Sequence, residues 1–219
     1  MLSSLDQRVA SAGHGWHHGL MVPGAATYLA AARHFREVLA RIPDSAWNEP
    51  GLGDWNVRTL AGHTSRALIT VLTYLERPAE NVDVGSTAEY YSGLDFTSSP
   101  DITARAVAAG EVLGPAPLET VDRLLAQLES VVPVVSDRVI ETIAGGMRFS
   151  DYLPTRIFEL AVHSLDLAAA CGVPASLPTE VEKAATNVAV EIAAARGEGS
   201  LLLLALAGRT PLPPGFSVV

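Results

Sequence analysis

The sequence predicts an all-α protein, a four-helix bundle with additional helices at its C-terminal side. Three observations carry this expectation. Apolar residues recur at helical spacing in four long segments, near residues 25–41, 56–75, 118–143 and 150–171. Loops punctuated by Pro and Gly separate them. Strand-type alternation is almost absent. With 219 residues, 48% of them hydrophobic, the chain can bury a sizeable core.

The elements follow in order. Residues 1–22 hold Gly13, Gly15 and Gly19 among His14, His17 and His18, and read as an irregular arm; 23–219 read as a single helical domain. The first helix is Ala-rich, with Tyr28, Ala32, Phe35 and Leu39 on one face, and Pro43 stops it. "DSAWNEPGLGDW" at 44–55 is a loop. Asp54 or Asn56 can cap the second helix, which runs to about Leu75 with Leu60, Thr64, Ala67, Leu68 and Val71 in register. Residues 79–99 form a polar loop with a helical turn around 89–91, and 101–112 a short helix ended by "GPAP". The third long helix is expected over 118–143, kinked at Pro133 and ended by "AGG". Ser150 and Asp151 open the fourth, with Pro154 in its first turn and Gly172 at its end. Helices at 178–196 and 201–207 and a Pro-rich tail complete the chain.

The net charge of −9, with only 15 basic residues spread thinly, argues against nucleic acid and against an anionic membrane surface as partners. The longest strongly apolar run, 201–207, is far short of the ~20 residues a membrane span needs. The single cysteine, Cys171, rules out an internal disulfide and makes a reducing cytoplasm the expected setting. It also means that a bound metal would be held by His and carboxylate. The expected partner is a small-molecule substrate; a homodimer is compatible with the chain but not read from it.

The stretch "RIFELAVHSLDLAAACG" at 156–172 carries the chemistry. Glu159 and His163 are four apart, on one helical face, with Arg156 before them and Asp166 after. This polar stripe is narrow, and the rest of the helix is apolar over more than half its circumference. A helix buried on most sides must satisfy such a stripe internally. Two readings are open: an ordinary charged face turned to water, or half of a metal site. A third ligand is best sought at His63, on the inward face of the second helix, where a packed core histidine is the ordinary alternative. His14, His17 and His18 are rivals in a Gly-rich arm, and His34, between Arg33 and Arg36, reads as solvated.

With those residues placed, the chain resembles the DinB-like superfamily, and within it the mycothiol-dependent maleylpyruvate isomerase family. The carriers are "GDWNVRTLAGH" at 53–63, "LPTRIFELAVHSLDLA" at 153–168 and "LLLALAGRTPLPPGF" at 202–216, in order and at matching separations. The resemblance implies a divalent metal, most often zinc, held by His63, Glu159 and His163, with mycothiol or a related thiol as co-substrate. Two-domain members continue into a sterol-carrier-like domain that contributes a catalytic arginine. This chain ends at Val219, so the expected activity is an isomerase or S-transferase of a small electrophile rather than a copy of the maleylpyruvate reaction.

Around that centre, Arg66 and Arg156 are candidates for binding substrate or thiol, with solvent or ion pairing as the ordinary alternatives. Asp166 is a candidate for orienting His163. Trp55 is expected only to pack the helix entrance, and Cys171 to be a small packed residue. The competing functions are a bundle that binds a metal or small ligand without turnover, and a metal-dependent hydrolase with Asp166 as base.

Overall fold

Four helices bury their apolar faces against one another because each carries the 3.6-residue stripe read above. The computed structural model describes residues 21–93 and 100–219. Helix α1 (Ala25–Leu39) buries Tyr28, Ala32 and Phe35. Helix α2 (Val57–Leu75) starts at Asn56, whose side chain accepts from the Thr59 N–H at 2.8 Å, so Asn56 and not Asp54 is the cap. The amino-terminal hairpin β1 (Pro50–Leu52) and β2 (Trp55–Asn56) leads into it. Helix α3 (Thr87–Ser92) and α4 (Pro100–Val112) follow.

Helix α5 (Pro117–Val131) ends sooner than the sequence suggested. Pro133 has no N–H to extend the ladder, and it stops the helix instead of kinking it. The residues expected to continue it form a hairpin, β3 (Val139–Thr142) and β4 (Gly145–Arg148). Ile140 and Met147, which pair across it, are fully buried, and Gly145 turns the chain at φ 109°. "AGG" is therefore a hairpin turn, not a helix end. A Cβ on Gly146 would lie 2.1 Å from the Asn81 carbonyl, and the Gly146 N–H donates to Asp83 at 2.8 Å, so the hairpin packs flush on the 79–84 segment.

Helix α6 (Phe149–Cys171) is the longest. It starts one residue early, which puts Pro154 in its second turn. Gly172, at φ 62°, closes it, and the Val173 N–H reaches back to the Ala168 carbonyl at 3.0 Å. Helices α7 (Thr179–Ala195) and α8 (Gly199–Leu206) follow.

Helices α1, α2, α5 and α6 form the bundle, and the fold is mostly α as expected. Helix α5 runs antiparallel to α1, pinned by Arg33–Glu129 and Arg36–Asp122, both 2.7 Å. Helix α6 runs antiparallel to α2: Tyr152 donates to Thr70 Oγ1 at 2.8 Å, far along from the contact of His63 with Glu159. Tyr28, Phe35, Phe149 and Tyr152 fill the centre. Helix α4 packs on α2, α7 covers α6 and α3, and α8 lies on α7 with no residue buried.

His34 departs from expectation. It is buried at 5% exposure, and its Nε2 has no hydrogen-bond partner. Helix α1 is covered by α5, α6 and α7, so its buried arc is wider than a surface stripe; Arg33 and Arg36 turn out to their carboxylates while His34 turns in. The rivals His14, His17 and His18 lie outside the described residues, as does most of the expected arm.

The α2–α4 crossing is closer than side chains allow. A Cβ on Gly62 would lie 2.2 Å from the Gly110 nitrogen. Gly62→Ala is therefore expected to destabilise the protein by about 1–3 kcal/mol or more, read as a fall in Tm of several degrees. Burial holds the His34 pKa below its ordinary 6.5. The unfolded chain then takes up this proton first, so His34 costs stability as pH falls through about 6.5 and costs nothing above it. Denaturant titration at pH 7.5 and 5.0 should show a smaller acid loss in His34→Gln than in the parent.

Candidate metal centre

The three residues singled out as ligands are 96 to 100 positions apart in sequence or one helical turn apart, and they meet between α2 and α6. His63 Nε2 lies 3.5 Å from Glu159 Oε2, and His163 Nε2 lies 3.3 Å from the same oxygen. One potential ligand atom from each residue lies within 4.8 Å of the others. The two imidazoles meet edge to face, centroids 4.9 Å apart. The side chains keep 20%, 18% and 15% of their exposure for His63, Glu159 and His163, so the cluster is open on one side rather than sealed.

Neighbouring groups set its orientation and charge. Asp166 Oδ2 lies 3.0 Å from His163 Nδ1, which leaves Nε2 facing the carboxylate. Burial opposes a charge on His163, but hydrogen bonds with Asp166 and Glu159 outweigh it and hold its pKa up at about 9. Burial likewise opposes charge on Glu159, and both histidines overcome it, keeping the carboxyl well below its usual range. Burial pushes His63 down, and the pull of Glu159 does not compensate fully. At neutral pH the cluster is thus a carboxylate, an imidazolium and a neutral imidazole. His63 Nδ1 is buried without a hydrogen-bond partner.

Tyr91, on α3, brings its hydroxyl to 3.0 Å from Glu159 Oε1 and 3.1 Å from the Thr155 carbonyl. Burial raises its pKa well above the ordinary value, so it stays a donor. Trp55 covers the other flank: its ring lies 4.8 Å from the His63 ring, and its Nε1–H donates to Thr103 at 3.3 Å. Trp55 thus packs at the entrance of α2, as expected, and the ring it packs on is that of His63. Tyr91 was not singled out at all, since it sits in a polar stretch with no periodicity to mark it. Trp55 lies in β2, before α2 begins, so no helical spacing links it to His63.

Arg156 is buried at 9% exposure, and it makes no ion pair with Glu159 or Asp166 among the described residues. Its guanidinium lies over the rings of Tyr152 and Tyr90, 5.0 and 5.6 Å from their centroids, and its Nε–H donates to Thr155 Oγ1 at 2.9 Å. Arg66 is half-buried one turn beyond His63, and no acceptor or carboxylate pairs with it among the described residues. Cys171 is half-buried near the end of α6, with its thiol pKa raised by burial.

Two imidazoles and one carboxylate, converging on a gap that opens to solvent, are a donor set suited to a borderline divalent cation such as zinc. The approach of one possible ligand atom from each residue to within 4.8 Å of the others agrees with that use.

Fold and cluster together define a mostly α bundle protein with a candidate His/Glu metal site between two of its long helices. The chain matches the family model described as the mycothiol maleylpyruvate isomerase N-terminal domain over residues 28–168, well over half its length, and it belongs to that family. The matched span contains His63, Glu159 and His163, whereas the motif at 202–216 lies beyond it. No curated protein and no solved structure matches the chain. Among the described residues, no helix is long and apolar enough to cross a membrane.

The contact between Asp166 and His163 is directly testable. Asp166→Asn should lower the His163 pKa from about 9 in the metal-free protein, seen as an imidazole NMR titration whose midpoint moves to lower pH with the backbone spectrum otherwise retained.

Proposed function

We propose that the protein is a divalent-metal enzyme, with zinc as the best-suited ion, that uses an external thiol of the mycothiol type on a small electrophile. The observation that supports it most is the convergence of His63, Glu159 and His163 in a cluster open on one side. In this reading those three side chains hold the metal and leave part of its shell free for a ligand. When bound, such an ion lowers the pKa of a coordinated thiol and supplies thiolate at neutral pH.

The chain's own residues supply the rest. Asp166 keeps the His163 ring turned so that Nε2 faces the site. Tyr91 anchors the second oxygen of Glu159 and so limits its rotation. Trp55 shields the His63 side from water. Arg66 and Arg156 bind substrate or thiol. Cys171 is not the nucleophile: eight residues past His63's partner His163 it is about 12 Å along the helix, and its thiol is held protonated by burial.

The thiol proton leaves to solvent, and the sulfur adds to one carbon of an activated cis double bond. The π electrons move to the far carbon, next to a carbonyl, and the remaining single bond rotates. Expulsion of the same thiolate restores the alkene as the trans isomer. Protonation of the far carbon from solvent instead leaves the thioether, which is the S-transferase outcome. A hydrolase with Asp166 as base is disfavoured, because that carboxylate is already engaged with His163. The single cysteine fits a reducing cytoplasm.

Chelator-free purification followed by metal analysis by mass spectrometry tests the reading. About one equivalent of divalent metal is expected, with His63→Ala and Glu159→Ala each binding at least tenfold more weakly. Absence of metal from the parent chain, or unchanged binding in both variants, would overturn it.

A further inference from the structure

The last stretch of the chain is apolar and almost free of charge. Between Gly199 and Phe216 a single residue, Arg209, is ionised. The helical part, α8, holds four consecutive leucines and then Leu206, yet no residue of it is buried. Leu203 is 67% exposed, Leu206 72% and Leu204 46%. Helical spacing puts Leu203, Leu206 and Ala207 on one outward stripe, with Leu204 on its flank. The helix is firmly closed: the Gly208 N–H reaches the Ala205 carbonyl at 2.9 Å and the Arg209 N–H the Leu204 carbonyl at 2.8 Å, with Gly208 at φ 69°. The leucines are therefore held outward by a regular helix. They belong to the motif at 202–216, which takes no part in the candidate metal centre.

A clustered apolar face on a protein of net charge −9 marks a surface that a partner covers. The charges at the two ends of α8 point to the partner. Glu198 stands immediately before the helix and Arg209 three residues after it. The Arg209 side chain makes no ion pair or hydrogen bond among the described residues. Glu198 Oε2 lies 3.5 Å from Arg196 Nε, and its other oxygen has no partner among the described residues. Leu203 and Leu204 lie midway between Glu198 and Arg209. A second copy laid antiparallel about that midpoint sets each Arg209 opposite the other copy's Glu198, with leucine against leucine between them. Parallel pairing would set glutamate beside glutamate and arginine beside arginine. A bilayer fits less well, because interfacial helices carry basic residues on their polar face and α8 has none.

We propose that α8 is a self-complementary face through which two copies of the chain pair, antiparallel, across a two-fold axis at Leu203–Leu204. An eight-residue helix and its short extension offer on the order of a few hundred Å² of apolar surface, less than the ~800 Å² per partner of a standard interface. The dimer is accordingly weak and concentration-dependent. It stands or falls independently of the metal reading.

Sedimentation velocity of the full chain from about 5 to about 500 μM tests this, a range that brackets a micromolar to near-millimolar dissociation constant. The parent should pass from monomer towards dimer across the series. Leu203→Glu and Leu206→Glu should each weaken dimerisation at least tenfold with Tm unchanged, since both side chains are exposed in the single chain. Val134→Glu, at an 81% exposed position in the turn after α5, should dimerise as the parent does. Arg209→Glu and Glu198→Lys should each dimerise at least tenfold more weakly alone, while an equimolar mixture of the two recovers the parent's affinity, because opposite charges then face each other at both ends. A parent that stays monomeric at every concentration overturns the proposal. So do dimers unaffected by both leucine variants, dimers weakened equally by Val134→Glu, and leucine-dependent dimers indifferent to both charge reversals. Leucine-dependent binding of a monomeric parent to phosphatidylcholine vesicles also overturns it, and gives the face to a membrane.

Discussion

A single carboxylate, Glu159, organises the interior. It lies between two imidazoles and a phenol at 3.0–3.5 Å, contributed by three helices. A lone buried carboxylate costs several kcal/mol, and removing one member of such a group leaves the others uncompensated. The contacts of Glu159 therefore tie α2, α3 and α6 together in one arrangement. The apolar stripes alone would allow those helices to slide by a turn; the polar cluster does not.

The same constraint shapes what surrounds it. Asp166 bonds the outer nitrogen of His163 and Tyr91 the second oxygen of Glu159, while Trp55 packs on the His63 flank. The cluster stays partly exposed, so it is reachable by a small molecule without unfolding of the bundle. The Gly62–Gly110 approach draws α4 close against α2.

Helical periodicity made most of the fold legible. The cap at Asn56, the stop at Gly172 and the inward face carrying His63 all follow from local chemistry. The segment after Pro133 differs from expectation because so short an apolar run as Val139, Ile140, Thr142 and Ile143 resembles the tail of a helix until the partner strand is known. His34 was misread because its neighbours are charged; how many helices cover α1 is not a local property. Tyr91 gave no sign of itself, since it sits in a polar stretch without helical periodicity.

The order of residues by itself determined where most helices lie, which face of each is apolar, and that Glu159 and His163 share one face; the end of α5 at Val131 was not among these. These depend on interactions within a few residues. Only the tertiary structure decided that His63 meets that pair and that Tyr91 and Trp55 flank it. Each of those is a distance between segments whose separation along the chain is large, set by helix register and by how closely backbones approach, and no local spacing encodes it.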